Sequence, residues 1–138
     1  MRDPRELYER PVNAFVAGFV GSPAMNLVTV PVDGSGQVAL GGAQIAVPAS
    51  SSGTVTVGIR PEDLRPAGAG DGLEVTVDVV EELGADAYVY GTLTDGSGTS
   101  LVARTDARVP PGRGDRLRLA PDPQRIHVFD GGTGGRLT

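Results

Sequence analysis

The sequence contains no cysteine and no lysine, and each absence excludes a class of chemistry. Without cysteine the chain has neither a disulfide framework nor a thiolate metal site, and its single histidine, His127, cannot build an ordinary zinc site alone. Without lysine it carries no Walker A loop, whose lysine reaches the β- and γ-phosphates of ATP, and no lysine Schiff base. No serine is placed to act as a nucleophile with His127. The chain is therefore predicted not to be an enzyme and to have no catalytic, cofactor-binding or metal-binding residues.

Long apolar runs and positive charge are also scarce. The sequence has no run of about 18 or more apolar residues, so we expect no membrane-spanning helix, and residues 1–6 lack the apolar core of a signal peptide. The net charge is −5, the arginines are scattered along the chain, and only 4% of the residues are aromatic. These values argue against nucleic acid as a partner, because such surfaces need clustered cations and stacking rings.

Most of the chain alternates apolar and polar residues between turns rich in glycine, proline and aspartate, which is typical of short β-strands. About nine strands at close spacing predict an all-β fold built as a small barrel. The pair Gly41-Gly42 between two of these strands predicts a hairpin. The predicted strands are residues 27–32, 37–40, 44–47, 54–60, 73–80, 87–93, 100–104, 116–119 and 125–129.

Two short helices are predicted before the first strand, at residues 4–10 and 12–20. In the second helix Phe15 and Phe19 are four residues apart and lie on one face. Pro23 follows this helix and favours its end, because the residue before a proline is disfavoured in the α region. An apolar helix beside a β-rich chain needs a surface to cover, which is either its own barrel or a domain outside this sequence.

Three groups of polar residues are candidates for binding or chemistry. Arg60 and Glu62 flank a proline within residues 58–64, either as a charged pair for a partner or as an arginine that ties a strand end to its own loop. The acidic residues between 78 and 86 match neither a calcium loop nor a histidine–carboxylate site and indicate a solvated face. The glycine-rich run 130–135 does not precede a helix, unlike a dinucleotide site. The residues alone indicate an all-β regulatory or binding domain.

Several segments in order resemble one family. They are ELYERPVN (6–13), FVAGFVGSPAMN (15–26), GIRPEDL (58–64), and HVFD (127–130) with TGGRL (133–137). Together they resemble the C-terminal part of the ATP-binding subunit of carbohydrate-type ABC importers, the group that includes the maltose, trehalose and glycerol-phosphate systems. The resemblance covers essentially the whole chain.

This resemblance implies an OB-like β-barrel, the transport-associated OB domain, with a regulatory and dimerisation role. It implies a helical junction segment at residues 1–26 and the barrel domain at residues 27–138. The ATP and magnesium sites of the family lie in a nucleotide-binding domain whose motifs are missing here, and Met1 is expected to be an introduced start. The full-length parent is expected to be an ABC transporter ATPase on the cytoplasmic face of the plasma membrane.

The expected partners are a second copy of the chain, the missing ATPase domain, the permease subunits and, in some members, a regulatory protein. The resemblance places the domain junction near the apolar helix. The residues expected at a partner or domain interface are Phe15, Phe19, Met25, Asn26, Arg60 and Glu62. The alternative function is a small-molecule or oxyanion sensor, for which the serines at 50–52 are the one sequence hint.

Overall fold

The computed structural model describes residues 10–19, 24–33, 35–48, 51, 53–67, 72–106 and 111–138. Within these ranges nearly all of the regular secondary structure is β-strand, which confirms the predicted all-β fold. Residues 4–9 of the helix predicted at 4–10 lie outside the described residues, and the one predicted at 12–20 forms as a shorter helix. The elements are α1 (Ala14–Phe19), β1 (Asn26–Pro31), β2 (Gln37–Leu40), β3 (Ala43–Ala46), β4 (Thr54–Ile59), a 3₁₀ helix (Pro61–Asp63), β5 (Leu64–Pro66), β6 (Leu73–Leu83), β7 (Asp86–Leu93), β8 (Ser100–Asp106), β9 (Arg116–Pro121) and β10 (His127–Asp130).

The chain divides into two compact units. Unit 1 comprises Met1–Ala39, Gln44–Ile59 and Ile126–Thr138, and unit 2 comprises Leu40–Ala43 and Arg60–Arg125. Unit 1 is thus assembled from both ends of the chain, while most of unit 2 is one continuous stretch. The boundary expected between residues 26 and 27 stays a prediction.

Unit 1 contains a three-stranded antiparallel sheet in the order β1-β4-β10. The central strand β4 is buried along nearly its whole length, as its valine-rich and isoleucine-containing sequence favours. Thr29 and Thr56 lie directly opposite each other, and their hydroxyl oxygens are 2.8 Å apart in a cross-strand hydrogen bond.

The predicted hairpin of β2 and β3 also forms, and Gly41 and Gly42 both have the positive φ that its two-residue turn requires.

Unit 2 contains a five-stranded antiparallel sheet in the order β5-β9-β6-β7-β8. Its two edge strands, β5 and β8, approach each other, so the sheet is a nearly closed barrel, as predicted. Strand β7 alternates strictly between buried and half-buried residues, which places one of its faces inside the barrel. The buried residues of this interior are Leu64, Leu73, Val75, Val77, Ala87, Val89, Leu93, Leu101, Ala103 and Leu119.

Two strands of the barrel differ from the sequence prediction. Strand β6 was expected to end near residue 80 but continues to Leu83, through a β-bulge between Val77 and Val79, because its second half pairs with β7. Strand β5 was not predicted, since it has three residues and contains Pro66. It exists because β9 provides a pairing partner that is distant in the sequence. In both cases tertiary pairing overrides weak local propensity.

Candidate interaction surfaces

Helix α1 packs on unit 1 through its small residues. Ala17 is fully buried in a cluster with Met25 and Phe129, and Ala14 and Leu27 pack against that cluster. The side chain of Phe15, one of the predicted interface residues, is 73% exposed. The backbone of Phe19 lies in the last turn of α1, and its side chain is outside the described part of the chain. The helix therefore contacts its own unit by one side and presents a phenylalanine on another.

Met25 and Asn26 follow α1 and are both buried inside unit 1. A Cβ atom at Gly58 would collide with the Met25 sulfur and come within 3.1 Å of Phe129 Cε2, so the sulfur fills the space that this glycine leaves. The Asn26 side-chain amide donates a hydrogen bond to the Ile59 carbonyl oxygen at 3.0 Å. Both side chains stabilise the junction of α1 with the sheet, and their expected role at a partner interface stays a prediction.

The segment 58–64 forms a tight corner at the end of β4. The Asp63 N–H donates to the Arg60 carbonyl oxygen at 2.9 Å and the Leu64 N–H to the Pro61 carbonyl oxygen, which closes the 3₁₀ helix. Arg60 is only 3% exposed, whereas Glu62 is half-buried. Arg60 is thus buried at this corner and Glu62 is partly accessible, and the role expected for both at a partner interface stays a prediction.

Glu62 lies at the edge of an open cleft of about 490 Å³ in unit 2. Burial raises the pKa of Asp63 in this cleft above its ordinary value, and the neighbouring Glu62 raises it further. The Arg125 Nε lies 3.9 Å from both an Asp63 and an Asp122 carboxylate oxygen. The charged lining residues are Glu62, Asp63, Arg65, Asp122 and Arg125. Because carboxylates outnumber arginines, this cleft does not have the converging positive groups that an oxyanion sensor needs.

The two ends of unit 1 are joined by Arg136. Its Nε donates to the Pro11 carbonyl oxygen at 2.6 Å, and its Nη2 donates to His127 Nδ1 at 2.9 Å. Its guanidinium carbon lies 5.2 Å from the centre of the Phe129 ring. The Ala14 N–H also donates to the Gly134 carbonyl oxygen at 2.9 Å. His127, expected only as a strand residue, is thus part of a contact between distant segments that no local sequence pattern predicts.

The outward side of β6, β7 and β8 is a further accessible surface, called here the outer face. Its two central rows run across the three strands, because the antiparallel register aligns β7 with both neighbours. Val79 is 56% exposed and Glu81 and Arg104 are exposed, while the tyrosines are half-buried. The rows are Val79, Tyr90 and Val102, and Glu81, Tyr88 and Arg104. The acidic residues of this region are apparent from the sequence pattern, whereas the tyrosines opposite them are not.

Neither metal binding nor membrane spanning is supported by the residues that the structure describes. No three histidine, aspartate or glutamate side chains among them come together in a group that could hold a metal ion. In the same part of the chain, no helix has both the length and the apolar character needed to cross a membrane.

Comparison with known proteins assigns two domain descriptions to the chain. Residues 57–129 match the model of the TOBE domain, and residues 21–64 match that of the MalK OB fold domain. The OB-type match agrees with the barrel architecture expected from the sequence resemblance.

The curated relatives are longer proteins. The chain is 47% identical over 136 residues to the sn-glycerol-3-phosphate import ATP-binding protein UgpC of Cereibacter sphaeroides, covering 97% of this chain and 38% of the relative. It is 45% identical over 159 residues to the diacetylchitobiose uptake system ATP-binding protein MsiK of Streptomyces coelicolor, covering 98% of this chain and 42% of that protein. The UgpC protein of Paracoccus denitrificans is 45% identical over 97% of the chain. The chain thus spans about two fifths of the length of these relatives.

Proposed function

This chain belongs to the TOBE domain family, and on that premise we propose that it is the regulatory and dimerisation domain of the ATP-binding subunit of an ABC importer for a sugar or a glycerol phosphate. The observation that carries the proposal is the 47% identity, across 97% of the chain, to a protein named as an import ATP-binding protein. The relatives named for sn-glycerol-3-phosphate and for diacetylchitobiose define the proposed solute class.

The proposed parent protein couples ATP hydrolysis to solute import. ATP and magnesium are proposed to bind in its nucleotide-binding domain. The present chain has no lysine with which to form a Walker A loop. The present domain contributes contacts: with a second copy, with the nucleotide-binding domain and, through the full-length subunit, with the permease at the cytoplasmic face of the plasma membrane. A regulatory protein is a further expected partner.

Helix α1 is the proposed site of contact with the nucleotide-binding domain. Ala17 anchors the helix on unit 1, and the 73% exposed side chain of Phe15 offers apolar surface to another domain. Fully burying a phenylalanine contributes about 2 kcal/mol, so covering this side chain would stabilise the domain junction measurably.

Domain replacement in a relative tests the proposal. The aligned part of the Cereibacter sphaeroides UgpC protein is replaced by this chain, and uptake of sn-glycerol-3-phosphate is measured in cells that lack their own UgpC. We expect the chimera to restore uptake, Phe15→Asp to reduce it, and Phe15→Leu, which keeps an apolar side chain, to retain it. Immunoblotting of the soluble fraction shows that each chimera is made and folded. A folded chimera with intact Phe15 that supports no uptake would contradict the proposal.

A further inference from the structure

Helix α1 has only six residues, so its own backbone hydrogen bonds are too few to keep it folded in water. Its position therefore depends on contacts with other segments. The Ala14 N–H, at the start of the helix, donates to the Gly134 carbonyl oxygen at 2.9 Å. Ala17 is fully buried in the cluster that contains Met25 and Phe129. The helix is thus held in part by residues from the far end of the described chain.

Residues 133–138, called here the strap, fold back along β10. The Leu137 N–H donates to the Val128 carbonyl oxygen at 2.8 Å. The Asp130 N–H donates to the Gly135 carbonyl oxygen at 2.7 Å. These backbone hydrogen bonds attach the strap to the last strand of the sheet in unit 1.

The strap also binds the residues that lead into α1. Asn13 and Gly135 form an antiparallel bridge. The Arg136 N–H donates to the Val12 carbonyl oxygen at 3.3 Å, and the Nε of the same residue donates to the Pro11 carbonyl oxygen at 2.6 Å. Three consecutive residues before the helix are therefore bound to the strap, which is itself bound to β10.

A turn at Asp130 directs the chain from β10 into the strap. The Asp130 carboxylate accepts hydrogen bonds from the Gly132 and Thr133 N–H groups, each at 2.8 Å. The Gly134 N–H closes the turn by donating to the Asp130 carbonyl oxygen at 2.8 Å. In the described part of the chain, no hydrogen bond or ion pair joins Asp130 to residues 10–19. The turn can thus act on α1 only through the strap.

We propose that the strap is the element that holds α1 in place, so that α1 is released when the strap leaves β10 while the rest of the fold stays intact. Opening of the strap breaks its bonds to the residues before α1, whereas the pairing of β1, β4 and β10 remains. Proteins commonly open single segments at a lower free energy than global unfolding requires. This inference goes beyond the proposed function, because the opening step does not depend on what covers Phe15.

Hydrogen exchange measured by NMR on this chain tests the coupling. Asp130→Ala removes the acceptor of two backbone N–H groups, which loosens the turn but takes away no atom that is bonded to residues 10–19. We expect the Ala14 and Leu137 N–H groups to exchange faster by about 10-fold or more, and by the same factor, because hydrogen bonds to a charged acceptor are lost. Asp130→Asn keeps an acceptor oxygen and should give a smaller change in the same direction.

Two other aspartates form turns of the same kind and provide matched controls. The Asp33 carboxylate accepts hydrogen bonds from two backbone N–H groups in unit 1, and the Asp95 carboxylate accepts one in unit 2. We expect Asp33→Ala and Asp95→Ala to leave the exchange of the Ala14 N–H unchanged, because neither turn is part of the strap. Thermal melts by circular dichroism verify that all four variants are folded.

Each outcome decides the proposal. Faster exchange of Ala14 and Leu137 together, in the Asp130 variants alone, would establish the strap as the element that holds α1. An Ala14 N–H that is unprotected in the unchanged chain, or unaffected by both Asp130 variants, would overturn it. Equal acceleration in all three alanine variants would also overturn it, because α1 would then be released only by global unfolding. The measurement needs no transporter, so its result is independent of the uptake experiment with the chimera.

Discussion

Arg136 stacks on the ring of Phe129, with its guanidinium carbon 5.2 Å from the ring centre, and from there donates hydrogen bonds to Pro11 and His127. The guanidinium has only donors, so in this contact His127 Nδ1 is the acceptor. A single side chain thus connects strand β10 with residues near the start of the described chain.

Removing this side chain is expected to destabilise the protein. Arg136→Ala loses two charge-assisted hydrogen bonds and the contact with Phe129, which should lower the free energy of unfolding by about 2–3 kcal/mol. Arg136→Lys keeps the charge but not the planar fork, so we expect it to recover only part of that loss. Urea unfolding of the full chain measures both. The exposed Arg113 gives a control, since Arg113→Ala should change stability by less than about 0.5 kcal/mol.

Gly58 is expected to tolerate no side chain while Met25 and Phe129 are in place. The Cβ atom of Gly58→Ala would collide with the Met25 sulfur and lie 3.1 Å from Phe129 Cε2, and overpacking of this kind costs about 1–3 kcal/mol. Combining it with Met25→Ala provides space, so the double variant should lose less stability than the sum of the two single losses. Gly112→Ala is the matched control, because its Cβ would meet only ordinary contacts at 3.5 Å or more. Additive losses at Gly58 and Met25 would show that the two sites do not share this space.

The turn after β10 should make the stability of the chain depend on pH in the acidic range. The Asp130 carboxylate accepts hydrogen bonds from the Gly132 and Thr133 N–H groups, each at 2.8 Å, which hold its pKa below the ordinary value of 3.8. A carboxyl group whose pKa is lowered on folding contributes stability at higher pH, and that contribution is lost as the pH falls through the folded value. Asp130→Asn keeps an acceptor oxygen without the charge. The variant should be less stable than the unchanged chain near neutral pH, and the difference should shrink in urea titrations at progressively lower pH.

The contribution of Asp63 to stability should change with pH in the opposite direction. Burial and Glu62 raise its pKa above 3.8, so the folded chain binds this proton more tightly than the unfolded chain does. Its contribution to stability is therefore full at low pH and is lost as the pH rises through the folded pKa. Asp63→Asn removes the penalty of the buried charge. Relative to the unchanged chain the variant should gain stability as the pH increases from 3.8 towards neutrality, and a gain that is constant with pH would contradict the assignment.

The barrel could be predicted from the sequence because its strands obey a local rule. In β7 the alternation of residue types matches the alternation of burial along the whole strand. The exceptions have non-local causes. Strand β5 depends on pairing with β9, the last residues of β6 depend on β7, and the contact of Arg136 with Pro11 joins residues 125 positions apart. No local pattern contains that information.

The predicted interface residues differ in whether their exposure could be inferred from the sequence. Phe15 is accessible, whereas Met25, Asn26 and Arg60 are buried. Arginines are rarely buried, so the position of Arg60 could not be inferred from composition. The outer face was not predicted, because the strand expected at residues 73–80 stops short of Glu81. Tyr88 and Tyr90, two residues apart on a strand, were the signal that could have indicated it.

The division of the chain into units has a consequence for its synthesis. Strand β4 is made long before β10, its partner, and the pairing of Gly58 with His127 must wait until residues 60–125 have left the ribosome. The barrel sheet, whose strands all lie between those two positions, can close first. Its closure brings the ends of that stretch together and so lowers the entropic cost of joining β4 to β10. The order of translation therefore favours a barrel that forms early and a terminal sheet that is completed last.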